Sequence, residues 1–241
     1  MVAFIKKPLA SLQAISQTRF IELVGPAGSG KSTLARALCQ RSAEITIGTE
    51  IAFRNIDQMP VLVGSIPLIL STLFGRTHDS RSWTWEEIKF LIYLKKWNEV
   101  LAVQAQSHPA IIVLDHGPIF KLATLHAFGP NWLRSAVADA WWRELFQQWA
   151  SLLDLIVWLD APDPLLETRI NGRDQKHEVK GKTSQDVIQF LDRYRSSYEY
   201  VLSGLAAAGG PSAIKFDTSQ ATMEQIAEKL LVVCRRETIG I

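Results

Sequence analysis

The 241-residue chain predicts an α/β fold, a mostly parallel sheet of five strands covered by helices on both faces, and three observations carry that expectation. Short apolar runs alternate with amphipathic segments along the chain. Two of the runs, Ala110-Ile111-Ile112-Val113-Leu114 and Leu155-Ile156-Val157-Trp158-Leu159, are apolar throughout, as strands buried on both faces are, and each is followed by an aspartate. A third, Arg19-Phe20-Ile21-Glu22-Leu23-Val24, runs straight into a glycine-rich turn. Parallel strands need crossover connections, and the intervening helices supply them.

Taken in order, the elements follow from periodicity. After the glycine-rich turn, Leu34 and Leu38 recur at i,i+4 and mark a helix. Glu44 to Phe53, rich in Ile and Thr, reads as the second strand, with Glu50 and Arg54 at its far end. Thr84-Trp85-Glu86-Glu87 has capping-box spacing, and Ile88, Leu91, Leu94, Trp97 and Leu101 continue it as a long helix that ends before Pro109. The third strand then reaches Asp115-His116-Gly117-Pro118. Val137, Trp141, Leu145 and Trp149 step by four, which predicts a helix leading into the fourth strand and Asp160. Asp163 is placed as an N-cap before Pro164, opening a short helix stopped by Gly172. Ile188, Leu191, Tyr194, Tyr198 and Val201 form the next helical stripe, Ala213 to Phe216 the last strand, and Met223, Ile226, Leu230 and Val233 the closing helix.

Composition narrows the class. With 47% hydrophobic and 21% charged residues the chain can bury a sizeable core, which excludes disorder and collagen-like repetition. A net charge of +2 does not suit a surface built for a nucleic-acid polymer or anionic lipid, so any basic site is local. Cys39 and Cys234 form neither a disulfide framework nor a metal-binding pattern. The charges at Lys6 and Lys7 are not followed by the apolar core of a signal peptide, and a cytoplasmic, reducing location is the expectation. Val61 to Phe74 is the most apolar run, but Gly64 and Pro67 interrupt it and it falls short of the roughly 20 residues that span a bilayer, so stable membrane insertion is not expected.

The glycine-rich turn carries the strongest chemical signal. Gly25-Pro26-Ala27-Gly28-Ser29-Gly30-Lys31-Ser32, followed by Thr33, satisfies G-x-x-x-x-G-K-[ST] between a strand and a helix. In such a loop the backbone N–H groups point at phosphate oxygens, Lys31 adds a cation near the β and γ phosphates, and Ser32 can ligate Mg²⁺. Asp115, at the end of an apolar strand, has the form of a Walker-B carboxylate that holds the same metal; capping of the next turn is the alternative. ATP and Mg²⁺ are therefore the expected cofactors. Neither an Asn-Lys-x-Asp guanine-reading segment nor a Leu-Ser-Gly-Gly-Gln signature occurs.

On these residues the chain resembles the thymidylate kinase-like and deoxynucleoside kinase families of P-loop small-molecule kinases. Gly25 to Thr33 is similar to their phosphate loop, and Asp115-His116-Gly117-Pro118 stands where they carry Asp-Arg or Glu-Arg. Asp160 to Pro164, with Arg169-Ile170-Asn171-Gly172-Arg173, resembles their fourth strand and basic lid, and Phe216-Asp217-Thr218-Ser219 the last strand and the loop beside adenine. The resemblance implies a P-loop α/β/α domain over residues 1–241, with an N-terminal extension (1–18), an acceptor-binding region (50–108) and a helical lid (163–186). It further implies that Arg169 stacks on adenine and Arg173 reaches the phosphates, one helical turn apart on a shared face. Glu50 would be the base toward an alcohol acceptor, with a surface pair to Arg54 as the alternative. Trp83 and Trp85 could stack on a base, or simply pack helices. His116 departs from the families' arginine and offers weaker phosphate neutralisation.

The function so implied is transfer of the γ-phosphoryl group of Mg-ATP to a nucleoside, nucleotide or related metabolite. Lys31, Arg169 and Arg173 would spread the developing charge, with a small-molecule acceptor as partner and a homodimer left open. A nucleotide-dependent switch or assembly ATPase, using the apolar 59–75 segment, and a non-catalytic binding module are the rival readings.

Overall fold

The computed structural model describes residues 18–48, 81, 83–107 and 110–239. Five parallel strands form one sheet: β1 (Arg19–Val24), β2 (Ile45–Ile47), β3 (Ile111–Asp115), β4 (Leu155–Asp160) and β5 (Ala213–Asp217), in spatial order β2-β3-β1-β4-β5. In register, Leu23 pairs with Asp115 and Val24 with Trp158, so the end of β1 emerges between the ends of β3 and β4. The crevice beyond those carboxyl ends is where open α/β sheets bind ligands.

Seven helices are described: α1 (Lys31–Arg41), α2 (Trp85–Ser107), α3 (Pro118–Phe128), α4 (Asp139–Ala150), α5 (Asp163–Asn171), α6 (Ser184–Ala207) and α7 (Met223–Ile239). Alternation along each strand sends side chains to two cores. On one face, Phe20, Ile112, Leu114, Ile156 and Trp158 pack beneath α2, α3, α4 and α6, with Trp97, Trp142, Trp149 and Tyr198 fully buried. On the other, Ile21, Leu23, Val113, Val157 and Leu159 meet Leu34 and Leu38 of α1 and Ile226 and Leu230 of α7. A third cluster packs Leu166 and Ile170 of α5 against Val187 and Leu191 of α6, with Val179 pinning the turns between those two helices. The capping box at α2 forms as expected: the Thr84 N–H donates to the Glu87 carboxylate at 2.8 Å and Thr84 Oγ1 accepts the Glu87 N–H at 3.3 Å.

Several local expectations are corrected. The second strand is confined to Ile45–Ile47, an edge strand paired only with β3, and Gly48 already lies outside it. Pro162 rather than Asp163 precedes the first turn of α5, and Asp163 is the first helical residue. Val137 belongs to a 3-10 turn and is 67% exposed; the buried stripe of α4 runs instead through Trp142, Leu145, Phe146 and Trp149. In α6 the buried face takes Val187 and leaves Ile188 exposed. Residues 172–183 are turns, so the lid region is helical only at its two ends. Glu50, Arg54 and the apolar 59–75 segment lie outside the described residues.

Candidate active site

The phosphate loop folds as its residue types dictate. Gly25 has φ +138° and no room for a side chain, since a Cβ there would stand 1.9 Å from the Leu159 carbonyl oxygen on β4. Gly30, at φ +97°, turns the chain into α1. Lys31, 8% exposed, folds back over the loop, its Nζ donating to the Gly25 carbonyl at 2.8 Å and the Pro26 carbonyl at 2.9 Å. Burial, reinforced by the neighbouring Arg173, lowers its pKa from 10.5 to about 8 against the opposing pull of Asp115 and Asp160. A bound phosphate would raise that pKa again and favour the charged amine.

Asp115 stands beside it at the end of β3. Burial alone would raise its pKa, but the His116 ring, the Ser32 hydroxyl and Lys31 together hold it below the ordinary aspartate value, so it is ionised at neutral pH. His116 Nδ1 is 3.2 Å from Oδ1 of Asp115, yet that buried oxygen lacks a well-formed hydrogen bond among the described residues. An ionised, under-satisfied carboxylate oxygen facing a serine hydroxyl is a donor set that suits Mg²⁺. No group of three His, Cys, Asp or Glu capable of holding a metal occurs among the described residues.

A cleft of about 770 Å³ opens over the loop. Gly25, Lys31, Ser32 and Arg36 line one side, Arg173, Asp174 and His177 come from the turns after α5, and His116 of the turn after β3 joins Phe120 of α3 and Phe190, Tyr194 and Tyr198 of α6 in an aromatic wall. His116 adopts a left-handed backbone, φ 58°, and its ring meets Phe120 edge-on at 4.7 Å. A separate pocket of about 330 Å³ lies between Arg169 and residues 218–223. There Arg169 donates to the Thr218 hydroxyl at 2.7 Å and to its carbonyl at 2.9 Å, and reaches the Gly28 carbonyl at 3.3 Å.

The two arginines therefore do not share a helix face. Gly172 ends α5, so Arg173 falls in the following turn and enters the phosphate cleft while Arg169 enters the other pocket. Trp83 packs edge-on against Trp132 at 6.0 Å and Trp85 is 63% exposed; neither lines the cleft.

Three features escaped the sequence reading. Glu22, in the middle of β1 and 0% exposed, accepts the Ile119 N–H at 3.0 Å and the Phe120 N–H at 3.1 Å, serving as a remote cap for α3. Gly117 lies so close that a Cβ would stand 2.4 Å from the Glu22 carboxyl carbon. Beside it, Lys121 donates to the His116 carbonyl and sets its ammonium 4.5 Å and 4.6 Å from the centroids of Tyr93 and Trp97. Desolvation of Glu22 outweighs those two N–H bonds and Lys121, raising its pKa to about 8. A lone carboxylate inside an apolar run was the available signal. The second feature, Arg195, bridges Asp160 at 2.9 Å, Asp163 at 2.6 Å and Asp192 at 3.1 Å, tying α6 to the end of β4 and the start of α5. The third is the cleft-facing role of Tyr194 and Tyr198, which the helical stripe marks only as core.

A family model described as an AAA domain matches residues 20–199, three-quarters of the chain and every residue that lines the phosphate cleft. The chain belongs to that AAA domain family. No curated protein matches it. Among solved structures, this AAA domain chain is similar to thymidylate kinase from Candida albicans (16% identity, TM-score 0.55, covering 92% of this chain and 93% of that one). It is also similar to the YorR protein of Bacillus subtilis, solved with phosphorylated GDP (16% identity, TM-score 0.51, 92% and 99% covered). A third is deoxyadenosine kinase from M. mycoides with bound dCTP (13% identity, TM-score 0.50, 91% and 100% covered). At these identities the likeness is one of fold, and the fold is that of P-loop kinases.

Proposed function

We propose that this chain is a Mg-ATP-dependent kinase that transfers the γ-phosphoryl group to a small acceptor, a nucleoside, nucleotide or related metabolite. One observation carries the reading: a single cleft brings the Lys31 amine, the Ser32 hydroxyl that bonds Asp115 behind it, and Arg173 together against an aromatic wall that does not belong to the phosphate loop. A phosphate-only ATPase site has no use for that wall, whereas an acceptor needs a surface of its own beside the terminal phosphate.

In this reading Lys31 releases the Gly25 and Pro26 carbonyls and turns to the β and γ phosphates, while backbone N–H groups of residues 25–33 cradle the remaining oxygens. Ser32 and Asp115 hold Mg²⁺, which supplies charge neutralisation at those phosphates. Arg173 answers the charge that develops on the transferred group, and closure of the 163–186 lid excludes water that would otherwise compete with the acceptor. Arg169 faces the base. It serves as one wall of the pocket it shares with residues 218–223, its guanidinium plane held by Thr218. Glu50 is the base toward an alcohol acceptor, contributed by the 50–108 region.

The chain is one kinase domain in a reducing, cytoplasmic setting, with a small-molecule acceptor and no nucleic-acid polymer as partner, and with a homodimer left open. No helix among the described residues is long and apolar enough to cross a membrane. The test is an acceptor screen with ADP release measured by a coupled assay: acceptor-dependent release supports the kinase, and slow acceptor-independent release that a protein partner stimulates supports the switch instead.

A further inference from the structure

Tyr198 presents an unusual combination. It is 0% exposed and projects from α6 into the core, yet it lines the phosphate cleft, and its hydroxyl makes no well-formed hydrogen bond among the described residues. A buried phenol normally finds a partner, because an unpaired one forfeits its bonds to water without replacement. The ring cannot swing away to find one: Trp158 meets it at 5.9 Å and Tyr194 at 6.0 Å. Among the described residues the Gly25 backbone N–H is the one group that reaches it, and Tyr194, the buried Glu22 carboxyl and, more weakly, Asp115 are its titratable neighbours. Gly25 is also the residue whose carbonyl holds the Lys31 amine at 2.8 Å. The Tyr198 hydroxyl and the Lys31 amine thus both face Gly25 of the loop, and a Gly25 N–H that reaches the phenol oxygen leaves its O–H proton without an acceptor. Burial keeps the phenol protonated far above neutral pH, so at working pH it offers an O–H and no negative charge.

From this arrangement we infer that Tyr198 is a ligand-contacting residue whose hydroxyl donates to the terminal phosphate of the bound nucleoside triphosphate and so distinguishes triphosphate from diphosphate. The inference rests on the kinase reading for its nucleotide, and reaches beyond it by assigning the phosphate contact to the acceptor-side wall. Contact with the wall ties recognition of the γ-phosphate to α6, the helix that also supplies Phe190 and Tyr194. Ser29 Oγ, likewise buried without a hydrogen-bond partner, lies inside the loop itself and needs no such separate role.

The experiment compares wild type and Tyr198→Phe by isothermal titration with Mg-AMPPNP and with Mg-ADP, alongside thermal unfolding of the ligand-free proteins. Phenylalanine keeps the ring and its packing and removes only the hydroxyl. The expected result is a 5- to 30-fold loss of Mg-AMPPNP affinity with Mg-ADP affinity unchanged within two-fold. The ligand-free variant should melt at the same temperature or about 2 °C higher, because an unsatisfied polar atom has been removed from the core. Equal affinities for both nucleotides in variant and wild type, equal losses for both, or a marked fall in melting temperature would each overturn the assignment. Wild type binding neither nucleotide would overturn the kinase reading, and this assignment with it; a wild type that binds both, with Tyr198→Phe indistinguishable from it, would overturn the Tyr198 assignment alone.

Discussion

Glu22→Gln isolates the buried carboxyl that fixes the helix behind His116. The rise of its pKa from 4.5 to about 8 means that folding favours the protonated form by about 5 kcal/mol. A folded-state pKa above the unfolded one gives stability that is complete below pH 4.5 and is lost as the pH climbs through 8. About 4 kcal/mol of that loss falls between pH 5 and pH 9. Glutamine does not titrate, but it presents one oxygen where two backbone N–H groups, of Ile119 and Phe120, need acceptors. The unmatched N–H costs about 1–3 kcal/mol. The variant should therefore be less stable than wild type at pH 5, and the gap should close or reverse by pH 9. Urea unfolding followed by circular dichroism at the two pH values, with m-values compared to verify a common unfolding reaction, measures it. A gap that is constant, or widens with pH, would refute the reasoning, because it would mean that Lys121 and the two N–H groups keep Glu22 ionised throughout.

Lys31, with its pKa near 8 in the free protein, should regain its proton when a phosphate arrives; at pH 9 Mg-ATP binding should take up close to one proton, read from titration enthalpies in buffers of different ionisation enthalpy, and no uptake would show the free amine already charged. Gly25→Ala pushes a Cβ to 1.9 Å from a backbone oxygen that no rotamer can avoid, at a φ of +138°, so it should cost at least about 3 kcal/mol of stability and abolish nucleotide binding, checked by thermal unfolding and titration. Arg195→Met keeps most of the side-chain volume but leaves the half-buried Asp160 and Asp163 without their shared counter-ion; urea unfolding should show a loss of about 2–3 kcal/mol, and a loss below about 0.5 kcal/mol would show that the bridge does not hold α6 to β4.

Local chemistry was the readable part of this chain. The phosphate loop is one continuous segment whose glycines, lysine and flanking strand and helix all lie within about twenty residues, so its geometry is written in adjacent positions. The buried strands announced themselves by unbroken apolar runs. Phase was harder. Trp141 and Trp142 are adjacent and both aromatic, so periodicity alone could not say which faces the core, and the 3-10 turn at Ala136–Ala138 shifts the helix start past Val137. Gly172 stops α5 as its residue type predicts, and Arg173 must then leave the helix that carries Arg169, a consequence that i,i+4 spacing by itself hides. Glu22 and Arg195 act through partners far along the chain, Ile119 and Phe120 in one case and Asp160 in the other. Tyr198 gave no signal, because a tyrosine on an apolar helical stripe is ordinary core until the free hydroxyl and the cleft beside it are seen.

In the proposed function the cleft transfers a phosphoryl group to a second small molecule. Mass spectrometry of reactions containing Mg-ATP and a pooled set of nucleosides, nucleoside monophosphates and hydroxylated metabolites tests it most directly. The account predicts one acceptor gaining the mass of a phosphoryl group, in equal amount to the ADP formed, with both signals lost in Lys31→Ala. ADP formed by wild type without any phosphorylated product, or at the same rate when the acceptors are left out, would contradict it.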